Sequence, residues 1–172
     1  MDNFIQEYFS STWLEGNRTL DQYTYSGWDL AKKVNTDEWV LDVGCGTNPF
    51  KGKIKNLYGI DLTDVGSDEQ VSIDHFEPAR LFDVAFCLGS VNFHNEANVH
   101  NQIKRIVSML TDNGRIYWRC NPGNYDHRNV ACKELPIFPW TISHHEKWSK
   151  EFGFTLQNIQ NDRNRIYAEW IR

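Results

Sequence analysis

Apolar positions along the chain follow two rhythms. Short continuous runs at 39–43, 57–60, 82–88 and 116–120 are bounded by polar or glycine-containing stretches, which predicts buried strands. Over 97–110 the rhythm becomes helical. Val99, Ile103, Ile106, Val107 and Leu110 share one face, Asn95 stands where a cap belongs, and Asp112-Asn113-Gly114 supplies a stop. Near the N-terminus, Phe4, Ile5, Tyr8 and Phe9 predict a short amphipathic helix. Leu30, Ala31 and Val34 predict a second over 28–34, with Ser26 as its cap. Ser143-His144-His145-Glu146 has capping-box spacing ahead of a helix that carries Trp148 and Phe152 and ends at Gly153. Runs at 154–159 and 166–171 flank Asn161-Asp162-Arg163-Asn164 and predict a closing β-hairpin.

The connections matter as much as the elements. After the first strand, Pro49 and Gly52 limit the crossover to one or two helical turns. After the second, residues 63–69 are polar or small apart from Val65. That link is shorter than the dozen or more residues a parallel crossover normally uses. A third strand at 71–73, ended by Asp74, is therefore short or reached by a bare loop. The order of elements predicts an α/β, Rossmann-like, mainly parallel sheet with an antiparallel last strand and abbreviated first crossovers. Residues 1–38 form an N-terminal helical extension and 39–172 the sheet domain, one domain overall. Within the extension, the stretch from Trp13 to Tyr25 is aromatic and polar without a period. It either packs on the sheet or closes as a lid over a ligand.

Composition narrows the class. A chain of 172 residues that is 40% hydrophobic and 14% aromatic can bury a substantial core. Mean hydropathy is −0.60, and no apolar run approaches the ~20 residues of a membrane helix. The first residues lack the charged start and apolar stretch of a signal peptide, so a cytoplasmic location is expected. A net charge of −5 argues against broad contact with nucleic-acid phosphates. Lys51, Lys53 and Lys55, like Lys104 and Arg105, read as solvated faces. Cys45, Cys87, Cys120 and Cys132 are scattered, which suits reduced thiols rather than zinc or a disulfide frame.

Chemistry concentrates at the end of the first run. Asp42 is its one charged residue, and Gly44 and Gly46 follow at once, where missing side chains let a ligand lie against the backbone. Asp61 comes 17 residues after Gly44, at the end of the second run. Strand, glycine turn, crossover and acid together make a nucleoside-binding half of a doubly wound sheet.

With these segments in order, residues 39–171 resemble the class I S-adenosylmethionine-dependent methyltransferases. Leu41-Asp42-Val43-Gly44-Cys45-Gly46-Thr47 is similar to the family's first motif, and Ile60-Asp61-Leu62 and Ile73-Asp74 to its acids after strands two and three. Phe82-Asp83-Val84 through Leu88-Gly89-Ser90 is similar to its strand four, and Leu110 through Gly114 to Tyr117 to its passage into strand five. Gly153-Phe154 opens the terminal hairpin in the family's manner. The resemblance implies S-adenosyl-L-methionine as cofactor. Gly44, Cys45 and Gly46 would pass by its ribose and methionine parts, and Asp42 would serve the methionine end. Asp61, with Leu62 beside it, would accept from the ribose hydroxyls. Asp74 or His75 would face the adenine edge, and Leu88, Gly89 and Ser90 would line the cavity. Asp61 could otherwise be a strand terminator, and Asp74 a turn residue.

Asn48-Pro49 replaces the family's third glycine, and Asn tolerates the left-handed region that the turn needs. Motifs of amino-group and cytosine C5 DNA methylation are missing, since Asn121-Pro122-Gly123 follows strand five and Cys120 follows Arg119. The expected reaction moves a methyl group from the sulfonium to a small-molecule or protein acceptor, in preference to nucleic acid. In-line displacement needs alignment and exclusion of water, and a base only if the acceptor must lose a proton. Asn92 and His94, then Tyr125, Asp126 and His127, stand on the relevant loops, with His94 and His127 as candidate bases. His144 and His145 head a helix that could face the same mouth. A surface or capping role is the simpler account of any single histidine, and no metal is expected. Two other functions fit: a non-catalytic methyltransferase-fold protein that binds the cofactor or a partner, and a nicotinamide-dependent oxidoreductase.

Overall fold

A computed structural model of the chain describes residues 2–15, 20–123 and 134–172. Its centre is a seven-stranded sheet in the order β3-β2-β1-β4-β5-β7-β6. The strands are β1 (Val40–Val43), β2 (Leu57–Asp61), β3 (Glu69–Gln70), β4 (Phe82–Cys87), β5 (Leu110–Cys120), β6 (Thr155–Asn161) and β7 (Ile166–Ile171). Neighbours from β3 through β5 run parallel, and β7 is antiparallel to both β5 and β6. This is the mainly parallel sheet with an antiparallel last strand that the pattern predicts. The order reverses at β1, which pairs with β2 on one side and β4 on the other, and the C-terminal ends of strands at such a reversal are where doubly wound sheets bind ligands.

Strand alternation divides the core in two. Leu41, Val43, Ala85, Cys87, Ile116, Trp118, Ala168 and Trp170 face one layer. It is covered by the helices α3 (Glu96–Ser108) and α4 (Ile142–Glu151) through Val99, Ile103, Ile106 and Trp148. Val40, Val84, Phe86, Tyr117 and Tyr167 face the other, where the N-terminal segment packs through Leu20, Tyr23, Trp28 and Leu30. Gly44 to Asn56 contains only turns, shorter even than the one or two helical turns expected. The N-terminal segment covers the face that this bare crossover leaves open.

Its anchors come from the far end of the chain. The buried carboxylate of Asp162, between β6 and β7, accepts from the backbone N–H groups of Thr24, Tyr25 and Ser26 at 2.9, 3.1 and 2.8 Å, and from Ser26 Oγ at 2.8 Å. Lys33 pairs with Glu169 of β7, and Glu38 receives both prongs of the Arg115 guanidinium at 2.6 and 2.7 Å. Those two bonds hold the Glu38 carboxyl down at about 2.

Several boundaries differ from expectation. The third strand is Glu69–Gln70, not 71–73: both residues are exposed, and the chain turns at 72–76 to bury Ile73 and Phe76. Residues 28–33 form a 3₁₀ helix without a side-chain cap, because Ser26 is taken by Asp162. Asn95 does cap α3, but the helix stops at Ser108 and Leu110 already belongs to β5. Asp112-Asn113-Gly114 lies inside that strand, where the β4–β5 register slips between Phe82↔Leu110 and Val84↔Arg115. In α4 the cap is Thr141 rather than Ser143. Its side chain accepts from His144 N while His144 Nδ1 accepts from Thr141 N. A histidine in the place of Glu or Gln hides this box from the usual sequence signature.

The N-terminal helices α1 (Asp2–Ser10) and α2 (Thr12–Glu15) agree with the amphipathic pattern of the first residues. None of the helices among the described residues is long and apolar enough to cross a membrane.

Candidate functional site

The glycine turn after β1 is held by its neighbours. Gly44 and Gly46 both lie in the left-handed region, at φ 68° and 55°. A Cβ on Gly44 would stand 2.2 Å from the Cβ of Ser90, so the loops after β1 and β4 touch through the missing side chain. Ser90 adds a hydrogen bond, its hydroxyl donating to Val43 O. Gly44 N and Cys45 N both donate to Ile60 O, at 2.8 and 3.0 Å, which ties the turn to β2. Asn48 also takes a left-handed φ of 54°, and its buried amide donates to Gly66 O at 3.0 Å. The asparagine thus makes the turn that a third glycine would make, and links the first crossover to the second.

Asp61 closes the arrangement. Its Oδ2 accepts from Gly46 N at 2.8 Å, and its Oδ1 from Thr63 N and Oγ1, each at 2.9 Å. A carboxylate offers about four lone-pair positions, so room remains for a further donor. Asp42 is different. It is only 3% exposed, and its carboxylate makes no hydrogen bond among the described residues. Burial pushes it up to about 7, with Arg119 opposing that shift and Asp61 adding to it. Cys45 is buried beside Gly59, and burial with the surrounding acids raises its thiol far from reactivity.

The remaining predicted residues fall into two groups. Leu62, Leu88, Gly89 and Ser90 sit at the same strand ends as the glycine turn. Leu62 O accepts from Gln6 and Gln70, Leu88 O accepts from Arg119, and Gly89 takes a φ of 115°. Asp74 and His75 are exposed in the turn after β3, where Asp74 accepts from Gln102 of α3 at 3.0 Å and His75 meets Ser72 at 2.8 Å.

Among the candidates for proton transfer, Asn92 is structural: its Oδ1 accepts from Asn121 N at 3.0 Å and bridges the ends of β4 and β5. His94 sits at a left-handed φ of 71°, with its N–H donating to Pro136 O at 2.6 Å. His144 belongs to the α4 cap. His145 is fully buried among Trp118, Trp140 and Trp170, and burial takes it down to about 3. Tyr125, Asp126, His127 and Cys132 lie outside the described residues.

Sequence reasoning missed the residues that approach this site from elsewhere. Trp13 lies over the glycine turn, 2.8 Å from where a Gly46 Cβ would be. Gln6 donates to Leu62 O at 2.9 Å, and Phe9 meets Phe93 edge-to-face at 5.6 Å. The first helices therefore reach the loops after β1, β2 and β4 in turn. Arg119 of β5 lies beneath Tyr23, its guanidinium 4.2 Å from the ring centre. Only the arginine had a sequence cue, as the one cation in the apolar run 116–120.

The fold as a whole is similar to that of proteins of known structure. The 1,6-didemethyltoxoflavin-N1-methyltransferase of Burkholderia thailandensis, solved with 1,6-didemethyltoxoflavin and S-adenosylhomocysteine, matches with a TM-score of 0.76. Its sequence identity is 13%, over 99% of this chain and 88% of its own. Magnesium protoporphyrin IX methyltransferase from Synechocystis, solved with S-adenosylmethionine, matches at 0.73 with 14% identity, over 99% of this chain and 96% of its own. The chain has the class I methyltransferase fold. An S-adenosylmethionine-dependent methyltransferase from Clostridium acetobutylicum also matches, with a TM-score of 0.65 and 15% identity, over 99% of this chain and 98% of its own. At these identities the likeness is one of fold. No protein-family model and no curated protein matches the sequence.

Proposed function

We propose that the protein is an S-adenosylmethionine-dependent methyltransferase with a small-molecule or protein acceptor. The observation that carries this is the juxtaposition of Asp61 with the Gly46 N–H at the reversal of strand order, near enough to the buried Asp42, which has no hydrogen bond among the described residues, for the two carboxylates to feel each other's charge. A carboxylate left without a hydrogen bond in a protein interior calls for a ligand or water donor. The donor set suits this cofactor, with Asp61 toward the ribose hydroxyls and Asp42 toward the methionine ammonium. Gly44, Cys45 and Gly46 offer backbone to lie against, and Leu62, Leu88, Gly89 and Ser90 form the walls. When bound, the sulfonium supplies a methyl carbon already activated for displacement. The chain's own residues then need to align the acceptor, exclude water and, for a protonated acceptor, remove a proton. Trp13, Phe9 and Gln6 supply the cover that makes residues 1–38 a lid. His94, held on its strained loop, is the histidine nearest in sequence to the end of β4 that could take a proton. A small-molecule acceptor accords with the names of the toxoflavin and protoporphyrin enzymes above.

Isothermal titration with S-adenosylhomocysteine tests the assignment. Saturable binding to the purified protein is expected, weakened at least tenfold in Asp61→Ala. An absence of binding to the wild type would overturn it. A second function, cofactor binding without turnover, draws support from the turn-only first crossover. It predicts the same titration but no labelled methyl transfer to any component of a cell extract.

A further inference from the structure

The glycine turn and Asp61 account for one side of the site, but they leave a buried cation without a role. Arg119 stands on β5 next to Leu88, and it shares a sheet face with Asp42 because both alternate with residues of the α3–α4 layer. Its Nη2 donates to Leu88 O at 2.6 Å, and the half-buried Tyr23 ring lies over the guanidinium at 4.2 Å. Its Nη1 is buried and has no hydrogen-bond partner among the described residues. Among the described residues no ion pair joins Arg119 to Asp42, although each feels the other's charge. Burial pulls Arg119 down and pushes Asp42 up, as expected of charges taken from water without full compensation.

A desolvated guanidinium with an open nitrogen beneath the Tyr23 ring and a desolvated carboxylate thus share one sheet face, near enough for each to feel the other's charge. Such a pair matches an α-amino acid zwitterion. We infer that Arg119 receives the carboxylate of the methionine end of the cofactor proposed above through its open Nη1, while Asp42 faces the ammonium and Tyr23 shields the guanidinium from water. Arginine suits this because its planar fork can hold Leu88 O with one nitrogen and offer another to a carboxylate. Asp162 acts through Tyr23 as a positioning residue, since its four hydrogen bonds fix residues 24–26 immediately after the ring.

The test compares ligands that share adenosine and differ in the amino acid. S-adenosylhomocysteine, its decarboxylated analogue and 5′-methylthioadenosine are titrated against wild type, Arg119→Met and Arg119→Lys. The wild type is expected to prefer S-adenosylhomocysteine to the other two. Arg119→Met should lose at least tenfold affinity for S-adenosylhomocysteine while binding methylthioadenosine and the decarboxylated analogue as the wild type does. Arg119→Lys should recover part of the loss. Equal losses for all three ligands would mean that Arg119 merely holds Leu88 and Tyr23, and would overturn the inference. Unchanged S-adenosylhomocysteine affinity in Arg119→Met would also overturn it, and would assign the guanidinium to an anionic acceptor instead. Should Arg119→Met fail to fold, the ratio of the three affinities in Arg119→Lys decides alone. Failure of the wild type to bind any of the three would instead strike the cofactor assignment.

Discussion

Two parts of the sheet bury ionisable side chains, and they do so to opposite effect. At the ends of β1, β4 and β5, Asp42 and Arg119 are desolvated, and neither has a full set of partners. Across β5, β7 and α4, His145 is buried as a neutral ring: its Nδ1 accepts from Trp170 Nε1 at 3.2 Å, and the Trp118 and Trp140 rings pack against it. Both parts leave polar atoms unpaired, including His145 Nε2 and the indole nitrogens of Trp118 and Trp148. The aromatic part offsets that deficit with large buried rings. The strand-end part has a single ring, Tyr23 over Arg119, and lies at the reversal of strand order, where doubly wound sheets bind ligands. Unfavourable burial at such a place is a mark of function, because a ligand can supply what the protein withholds.

The largest effect should come from the aromatic part. Trp170→Ala removes a ring packed on Trp118 at 4.8 Å and deletes the donor to His145, for an expected loss of about 3–5 kcal/mol in urea denaturation. S-adenosylhomocysteine affinity of the folded fraction should stay within a factor of three. A loss of binding at near-normal stability would erase the distinction between the two parts.

Asp42→Asn should do the reverse. Its carboxyl lies higher in the folded chain, at about 7, than in the unfolded one, so the folded state holds a proton that the unfolded state has released. Stability from this group is lost as pH rises from about 4 to about 7. The neutral amide should therefore stabilise the unliganded protein by roughly 2–4 kcal/mol at pH 8 while weakening the cofactor analogue. A destabilised Asp42→Asn would show that the carboxylate is already compensated.

His145 has the opposite slope. Its folded value of about 3 lies below the unfolded one, so the unfolded state takes the proton first and stability falls as pH drops from 6.5 toward 3. The loss by pH 4 is roughly 3 kcal/mol. In the wild type the two slopes largely cancel between pH 4 and 6.5. Asp42→Asn should expose a steep acid sensitivity in that window, and Asp42→Asn combined with His145→Phe should flatten it again. Parallel pH profiles for the wild type and Asp42→Asn would refute the cancellation.

The smallest effect tests how the two ends of the chain are joined. Asp162→Asn weakens charge-assisted bonds to residues 24–26 and should cost about 1–2 kcal/mol. Amide exchange should rise at Thr24, Tyr25 and Ser26 while the protected amides of β4 and β5 keep their rates. Uniform acceleration would mean that the segment does not move independently of the sheet.

The amino-acid sequence by itself determined the strands other than β3, the glycine turn, the acid that ends β2 and the short crossovers. Each depends on local properties: apolar runs between breakers, glycine at positive φ, proline and glycine where a helix would need neither. It misplaced elements whose boundaries depend on distant partners. Ser26 has the chemistry of a cap but is drawn to Asp162, and Asp112-Asn113-Gly114 has the chemistry of a helix stop but sits in a bulge opposite β4. Asp74 was legible as an acid after the third strand, yet its bond to Gln102 comes from a helix packed alongside. Only the tertiary structure brought Trp13 over Gly46, placed Tyr23 on Arg119 and left Asp42 buried without a hydrogen bond among the described residues. Those relations join residues separated by up to about a hundred positions. No periodicity records them, because proximity across a sheet is fixed by strand order and register rather than by spacing along the chain.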